Sequence, residues 1–129
     1  MTDWKTEIQR MEGWTFGDSP QMADDLARQA SEGKNLGNCF LWSETILIPK
    51  MGDRSYIKDS EGRPICVVEV SDVHILPFAD VTQAFANVEG YKTIEEWQKV
   101  HRSFFIRRFP KFTDKTIVVC QLFKLIHVF

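Results

Sequence analysis

Residues 116–129 restrict this chain more than any other stretch. They hold no Gly or Pro, and their Ile, Val, Leu and Phe residues carry strong β propensity. The run is apolar on both faces as far as Lys124 and His127. A strand of this kind must be covered above and below, which predicts a central strand of a sheet packed on both sides.

The remaining sequence supplies the cover. Residues 36–42, 45–48, 54–58 and 65–76 read as strands, with a turn at 49–53 and a hairpin loop at 59–64. Residues 3–12 read as a short helix with Trp4, Ile8 and Met11 on one stripe. Residues 20–32 read as a second, with Ser19 as N-cap, Pro20 at the first helical position and Gly33 as the stop. Met22, Leu26 and Ala30 form its apolar stripe. A third helix is expected over 80–88, carrying Val81, Ala84 and Phe85. Thr93 and Glu96 form a capping box that opens a fourth, with Ile94, Trp97, His101, Phe104 and Phe105 on one wide face. Hairpin-joined strands with helices outside predict an α+β fold on a mainly antiparallel sheet or barrel. The length of 129 residues fits one domain, with residues 1–13 as an N-terminal helical extension.

Hydrophobic residues at 43% and charged residues at 26% exclude disorder of the whole chain. No segment has the length and apolarity of a signal or a bilayer span, so a cytoplasmic protein without a membrane partner is expected. Cys39, Cys66 and Cys120 are widely spaced in apolar surroundings, without a C-x-x-C, and read as buried free thiols rather than metal ligands. The glycine-rich nucleotide loops, H-E-x-x-H and G-x-S-x-G are all missing. No metal and no cofactor are therefore expected, and the oligomeric state is left open.

The net charge of −2 conceals a division. Residues 1–89 hold 8 basic and 15 acidic groups, and residues 90–129 hold 8 basic and 3 acidic. Lys99, Arg102, Arg107, Arg108, Lys111 and Lys115 fall close together with only Asp114 opposing them, and Phe105, Phe109 and Phe112 lie among them. Basic side chains interleaved with aromatics suit the backbone of single-stranded RNA, with Arg102, Arg107, Arg108 and Lys111 as contacts. The same charges also fit a solvated helix C-terminus.

Other candidates also carry two readings. Asn35 and Asn38 suit a tight bend, and their amides equally suit a base edge. Glu89 is either a solvated loop carboxylate or an acceptor for an exocyclic amine. Lys92 beside Thr93 offers a cationic site at a helix start, whereas capping alone explains Thr93. Trp42 and Tyr56 can stack on a base or fill core. His101 is either an acid–base group or a core-edge histidine with a fixed hydrogen bond.

One resemblance runs from Trp14 to the C-terminus. It is carried by Trp14-x-Phe16-Gly17-Asp18-Ser19-Pro20, Ala23-Asp24-x-Leu26-Ala27, Glu32-Gly33-Lys34, Leu41-Trp42, Pro49-x-x-Gly52-Asp53 and Gly62-Arg63-Pro64. Glu89-Gly90, Trp97-x-x-x-His101-x-x-Phe104-Phe105 and Val118-Val119-Cys120-x-x-Phe123 continue it. Together these motifs resemble the ASCH-domain proteins of the PUA-like superfamily. The resemblance implies a small β-barrel flanked by helices, with a cleft beside the barrel that binds RNA or a modified nucleoside. Some members are hydrolases, acting on N4-acylated cytidines or on single-stranded RNA. Their signature, Gly-x-Lys-x-x-Thr with a later Glu, aligns here with Gly33, Asn35, Asn38 and Glu89. Asn supplies neither base nor alkoxide, and Leu36 replaces a Thr that commonly follows the Lys. If catalysis is retained, the resemblance leaves Glu89 and the neighbouring Lys34 to perform it. A bulge at Gly37 would be needed to re-aim Lys34. The leading expectation is a binding module that holds single-stranded RNA or a modified nucleoside through Asn35, Asn38, Trp42, Lys92 and Thr93. The alternatives are a hydrolase with an altered motif and a protein-interaction adaptor.

Overall fold

The computed structural model describes residues 1–17 and 19–129. Asp18, in the turn expected ahead of the second helix, lies outside the described residues. The apolar C-terminal run forms β5 (Ile117–Val128). It sits inside a curled, five-stranded half-barrel of order β1-β3-β4-β5-β2, with β1 (Glu12–Trp14), β2 (Gly37–Leu41), β3 (Arg54–Lys58) and β4 (Pro64–Pro77). β1 runs parallel to β3, and the other neighbours are antiparallel. Val118, Val119 and Cys120 are consecutive and at most 2% exposed, so both faces of β5 are covered, as its composition requires.

The two faces serve two cores. Val70 of β4 pairs with Phe123, but Asp72 pairs with Leu122, so Ser71 is an extra residue that resets the alternation. Before this bulge Cys66, Val68 and Val70 join Phe16, Ile57 and Phe123 under α2 (Pro20–Ser31). Beyond it Leu76 packs on the opposite core, with Phe78, Trp97, Phe105, Phe112, Val118 and Cys120. That second core lies beneath α3 (Gln83–Val88) and α4 (Ile94–Arg108). Among the described residues no helix is long and apolar enough to cross a membrane, and no His, Cys, Asp and Glu group could hold a metal ion.

The caps follow the sequence. Ser19 Oγ accepts from Met22 N at 3.2 Å, and Thr93 Oγ1 from Glu96 N at 3.1 Å. Other expectations need correction. The helix expected over 3–12 is broken into α1 (Trp4–Glu7) and a 3-10 turn at Ile8–Arg10. Met11 is then extended, because pairing of β1 with β3 takes over. Residues 45–48 form no strand. Ile46 N bonds Ser43 O at 3.3 Å, and this turn leaves Leu47 outside. α2 buries Ala23, Ala27 and Ala30 rather than Met22, Leu26 and Ala30. Small side chains let the helix approach the sheet closely, while Met22 and Leu26 border a cavity at its edge. The helix expected from residue 80 starts at Gln83, where Thr82 Oγ1 accepts from Phe85 N, after a 3-10 turn at Phe78–Asp80.

Asp59 organises the β3–β4 hairpin loop. Its Oδ1 accepts from Glu61 N and Arg63 N, both at 2.9 Å, and its Oδ2 from Arg63 Nε at 2.8 Å. The Arg63 backbone N–H above all holds this carboxyl below its usual 3.8. A depressed carboxyl stabilises the fold fully above that usual value, and its contribution disappears as pH falls through the lower, folded value. Asp59→Asn should therefore flatten the acid side of a plot of urea midpoint against pH. An unchanged slope below pH 3.8 would show that the loop does not discriminate the charged form.

Candidate functional site

Three segments converge beside β2. The first follows α2. Lys34 N and Asn35 N both bond Gln29 O, and Leu36 N bonds Val88 O, which ties this segment to the end of α3. Asn35 then turns the chain into β2, its Oδ1 accepting from Gly37 N at 3.3 Å. The second segment is the end of α3, where Glu89 is the C-cap and Gly90 has φ of 92°. A Cβ at Gly37 would lie 3.1 Å from Glu89 Cγ, so this glycine lets the Glu89 side chain lie against β2. The third segment is the face of α4 that carries Trp97, His101 and Phe104.

Glu89 is 8% exposed and firmly held. Its Oε2 accepts from Trp97 Nε1 at 2.9 Å, and its Oε1 lies 3.5 Å from His101 Nε2. His101 Nδ1 donates to the Trp97 carbonyl at 2.9 Å, one helical turn back. The imidazole stacks on the Trp97 indole with centroids 4.1 Å apart. With Nδ1 committed as donor, Nε2 is the ring nitrogen that faces the carboxylate. Glu89 and His101 thus place a carboxylate beside an imidazole nitrogen in the cavity wall.

These side chains line a cavity of about 140 Å³ with Asn35, Asn38, Tyr91 and Cys39. Phe16, Leu26, Val100 and Phe104 give it apolar walls. Asn35 is 2% exposed. Its Oδ1 is used by the turn, while its Nδ2 bonds to none of the described residues. Asn38 makes no side-chain hydrogen bond to them either. The turn reading and the ligand reading therefore divide between the two ends of the Asn35 amide. Burial, then the Glu89 and Glu96 carboxylates, push the Tyr91 hydroxyl above its usual range. Burial, the Cys120 thiol 3.7 Å away and Glu89 push the Cys39 thiol well above its own, so it lines the cavity as a neutral group. Burial alone pushes Cys66 up to about 11.

Other candidates lie elsewhere. The ammonium of Lys34 is exposed and 3.8 Å from Glu32, outside this cavity. Trp42 is exposed just beyond the end of β2, Tyr56 packs against Gly13, and Thr93 caps α4 with exposed Lys92 before it. Arg102 is used within the fold, bonding Asp114 at 3.0 and 3.2 Å over the Phe78 ring. The Arg108 guanidinium stacks 3.7 Å above Phe104, a wall of the cavity, so the basic end of α4 adjoins the candidate site. Arg107 and Lys111 are exposed close by in sequence. Sequence alone left Tyr91 unremarked and offered no carboxylate for His101. Eleven residues, a turn at Gly90 and the start of α4 among them, separate Glu89 from His101 in the chain.

Glu89→Ala would leave the buried Trp97 N–H without an acceptor and His101 without its carboxylate. It should cost about 1–3 kcal/mol in urea unfolding. Glu89→Gln retains an acceptor and should cost clearly less. Equal losses would show that the hydrogen bond contributes little.

No curated protein sequence matches the chain. Among solved structures, a protein of Enterococcus faecalis V583 aligns with a TM-score of 0.85 at 24% identity, over 98% of this chain and 91% of the other. An ASCH domain from Lactobacillus crispatus JV V101 also aligns at 0.85 and 24%, over 98% and 87%. An ASCH protein of Zymomonas mobilis aligns at 0.51 and 10%, over 88% and 65%. These likenesses establish a shared fold. The ASCH domain family matches residues 12–127, nearly the whole length, and the chain therefore belongs to the ASCH domain family.

Proposed function

We propose that this ASCH domain binds a nucleobase, presented by a modified nucleoside or by single-stranded RNA, in the cavity between β2, the end of α3 and α4. The observation that supports this most is the set of groups left available there. Asn35 Nδ2 and the Asn38 amide bond to none of the described residues, and they share the cavity with a carboxylate. Glu89 accepts from an exocyclic amine, Asn35 donates to a ring carbonyl or nitrogen, and Phe16 and Phe104 contact the ring. Arg108 over Phe104, with Arg107 and Lys111 beyond, gives a neighbouring phosphate a cationic surface.

A second reading, hydrolysis of an acylated base or of RNA, is favoured by one observation, the Glu89–His101 pair. Glu89 would take a proton from water and His101 would return one to the leaving group. Lys34 does not line that cavity, and its ammonium lies 3.8 Å from Glu32.

Two measurements test these readings. Affinity for a short single-stranded RNA should fall as salt rises. Arg107→Ala with Lys111→Ala should reduce the slope of log K against log salt by about 0.7 for each phosphate no longer neutralised. A flat salt dependence would remove the RNA reading. Acetate release from N4-acetylcytidine should exceed that of Glu89→Ala if the chain is a hydrolase. Equal release from the two proteins would leave binding alone.

A further inference from the structure

We propose a second binding site, on the other side of Asn38, that takes an uncharged planar heteroaromatic ring of the nucleobase class. It is a separate cavity of about 450 Å³ at the mouth of the half-barrel. Trp14, Phe40 and Phe123 wall it, and Gln121 and Asn38 line it between them. The site stands whether or not the first cavity holds a ligand.

Gln121 carries the argument. It is only 9% exposed, yet its carboxamide bonds to none of the described residues. Among those residues every fully enclosed side-chain nitrogen or oxygen has a partner. The Gln121 amide is therefore not sealed in the core but opens to the cavity it lines. Its neighbour across the β2–β5 ladder is Asn38, whose amide is likewise uncommitted. Two adjacent carboxamides present donors and acceptors along one edge, which matches the mixed edge of a nucleobase. A buried amide keeps such a position at a cost that a hydrogen-bonding ligand removes.

The walls suit the same ligand. Trp14 is fixed before any ligand arrives. Its Nε1 donates to Ser55 Oγ at 2.9 Å, and its ring packs against Phe16 and Phe123 with centroids 4.8 and 5.7 Å away. A preset aromatic wall spares the ordering cost of binding. The rim carries the Glu12 and Asp53 carboxylates, and the Arg54 guanidinium there is paired to Glu69 at 3.0 Å. That rim repels a phosphate and leaves a neutral ring unopposed. The ligand is thus a base or nucleoside, not its phosphate ester.

The test titrates the full chain, labelled with nitrogen-15, with adenosine, guanosine, cytidine and uridine and with their 5′-monophosphates. The Trp14 indole and Gln121 side-chain amide signals report this cavity, while Tyr91 and His101 report the first. At least one nucleoside should shift the Trp14 and Gln121 signals saturably, and its monophosphate should bind severalfold more weakly. Gln121→Leu, similar in volume, should weaken the nucleoside at least tenfold. Glu12→Gln, on the exposed rim where folding is not at risk, should narrow the gap between nucleoside and monophosphate. The proposal is overturned if no nucleoside moves the Trp14 and Gln121 signals, or if folded Gln121→Leu binds as the parent does. It is also overturned if Glu12→Gln leaves the ratio unchanged.

Discussion

The pairing of β4 with β5 is the constraint from which the other parts take their places. Both strands are long, and they stay paired from Cys66–Val128 to Pro77–Ile117. Neither can be stable with an apolar face in water, since burial of each Val or Leu side chain is worth about 1.5–3 kcal/mol. The two faces of this ladder serve two cores, and the bulge at Ser71 reverses which β4 side chains point to which side. α2 closes one face, and α3 and α4 close the other. β2 adds to β5 at the open edge, between these two coverings. An edge strand between two cores is where polar side chains meet the least resistance, and that is where Asn38 lies.

The same geometry explains why Glu89 is tolerated where it is. A carboxylate at 8% exposure needs donors. Trp97 supplies one, and the Trp97 indole is itself at 0% exposure and requires an acceptor, so each group answers the need of the other. His101 is fixed by the Trp97 carbonyl and the Trp97 ring together. One tryptophan thus orients both members of the Glu89–His101 pair. Its side chain belongs to the core, while the atoms it positions belong to the cavity. That division suits a site built on rigid elements rather than on a loop.

Much of this was legible in the sequence, and the failures share a cause. Periodicity and caps located α2, α4, β4 and β5, since those signals are local to each element. The ASCH resemblance identified Asn35, Asn38 and Glu89, which the fold brings to one cavity. Local signals failed where a distant partner decides the outcome. Glu12–Trp14 are strand only because β3 is beside them, and residues 45–48 have the β propensity of a strand but close into a turn. His101 lacked a carboxylate partner in the sequence because Glu89 comes from another helix. Gln121 is hidden in an apolar run, between Cys120 and Leu122. Its one polar group in a buried strand was the available signal, and a count of hydrophobic residues conceals it.

Charge and cavities are also distributed together. The acidic N-terminal portion supplies Glu12 and Asp53 at the mouth of the half-barrel, and the basic C-terminal portion supplies Arg108 beside the first cavity. On the proposed reading, the α4 side favours a phosphate-bearing strand and the β1–β3 side opposes one. Asn38 stands on the wall of both cavities. On the proposed reading, a ligand in one would fix the rotamer of an amide that the other also uses. Where both are filled the two sites are coupled through that single side chain, by whichever of its donor and acceptor ends the first ligand leaves available.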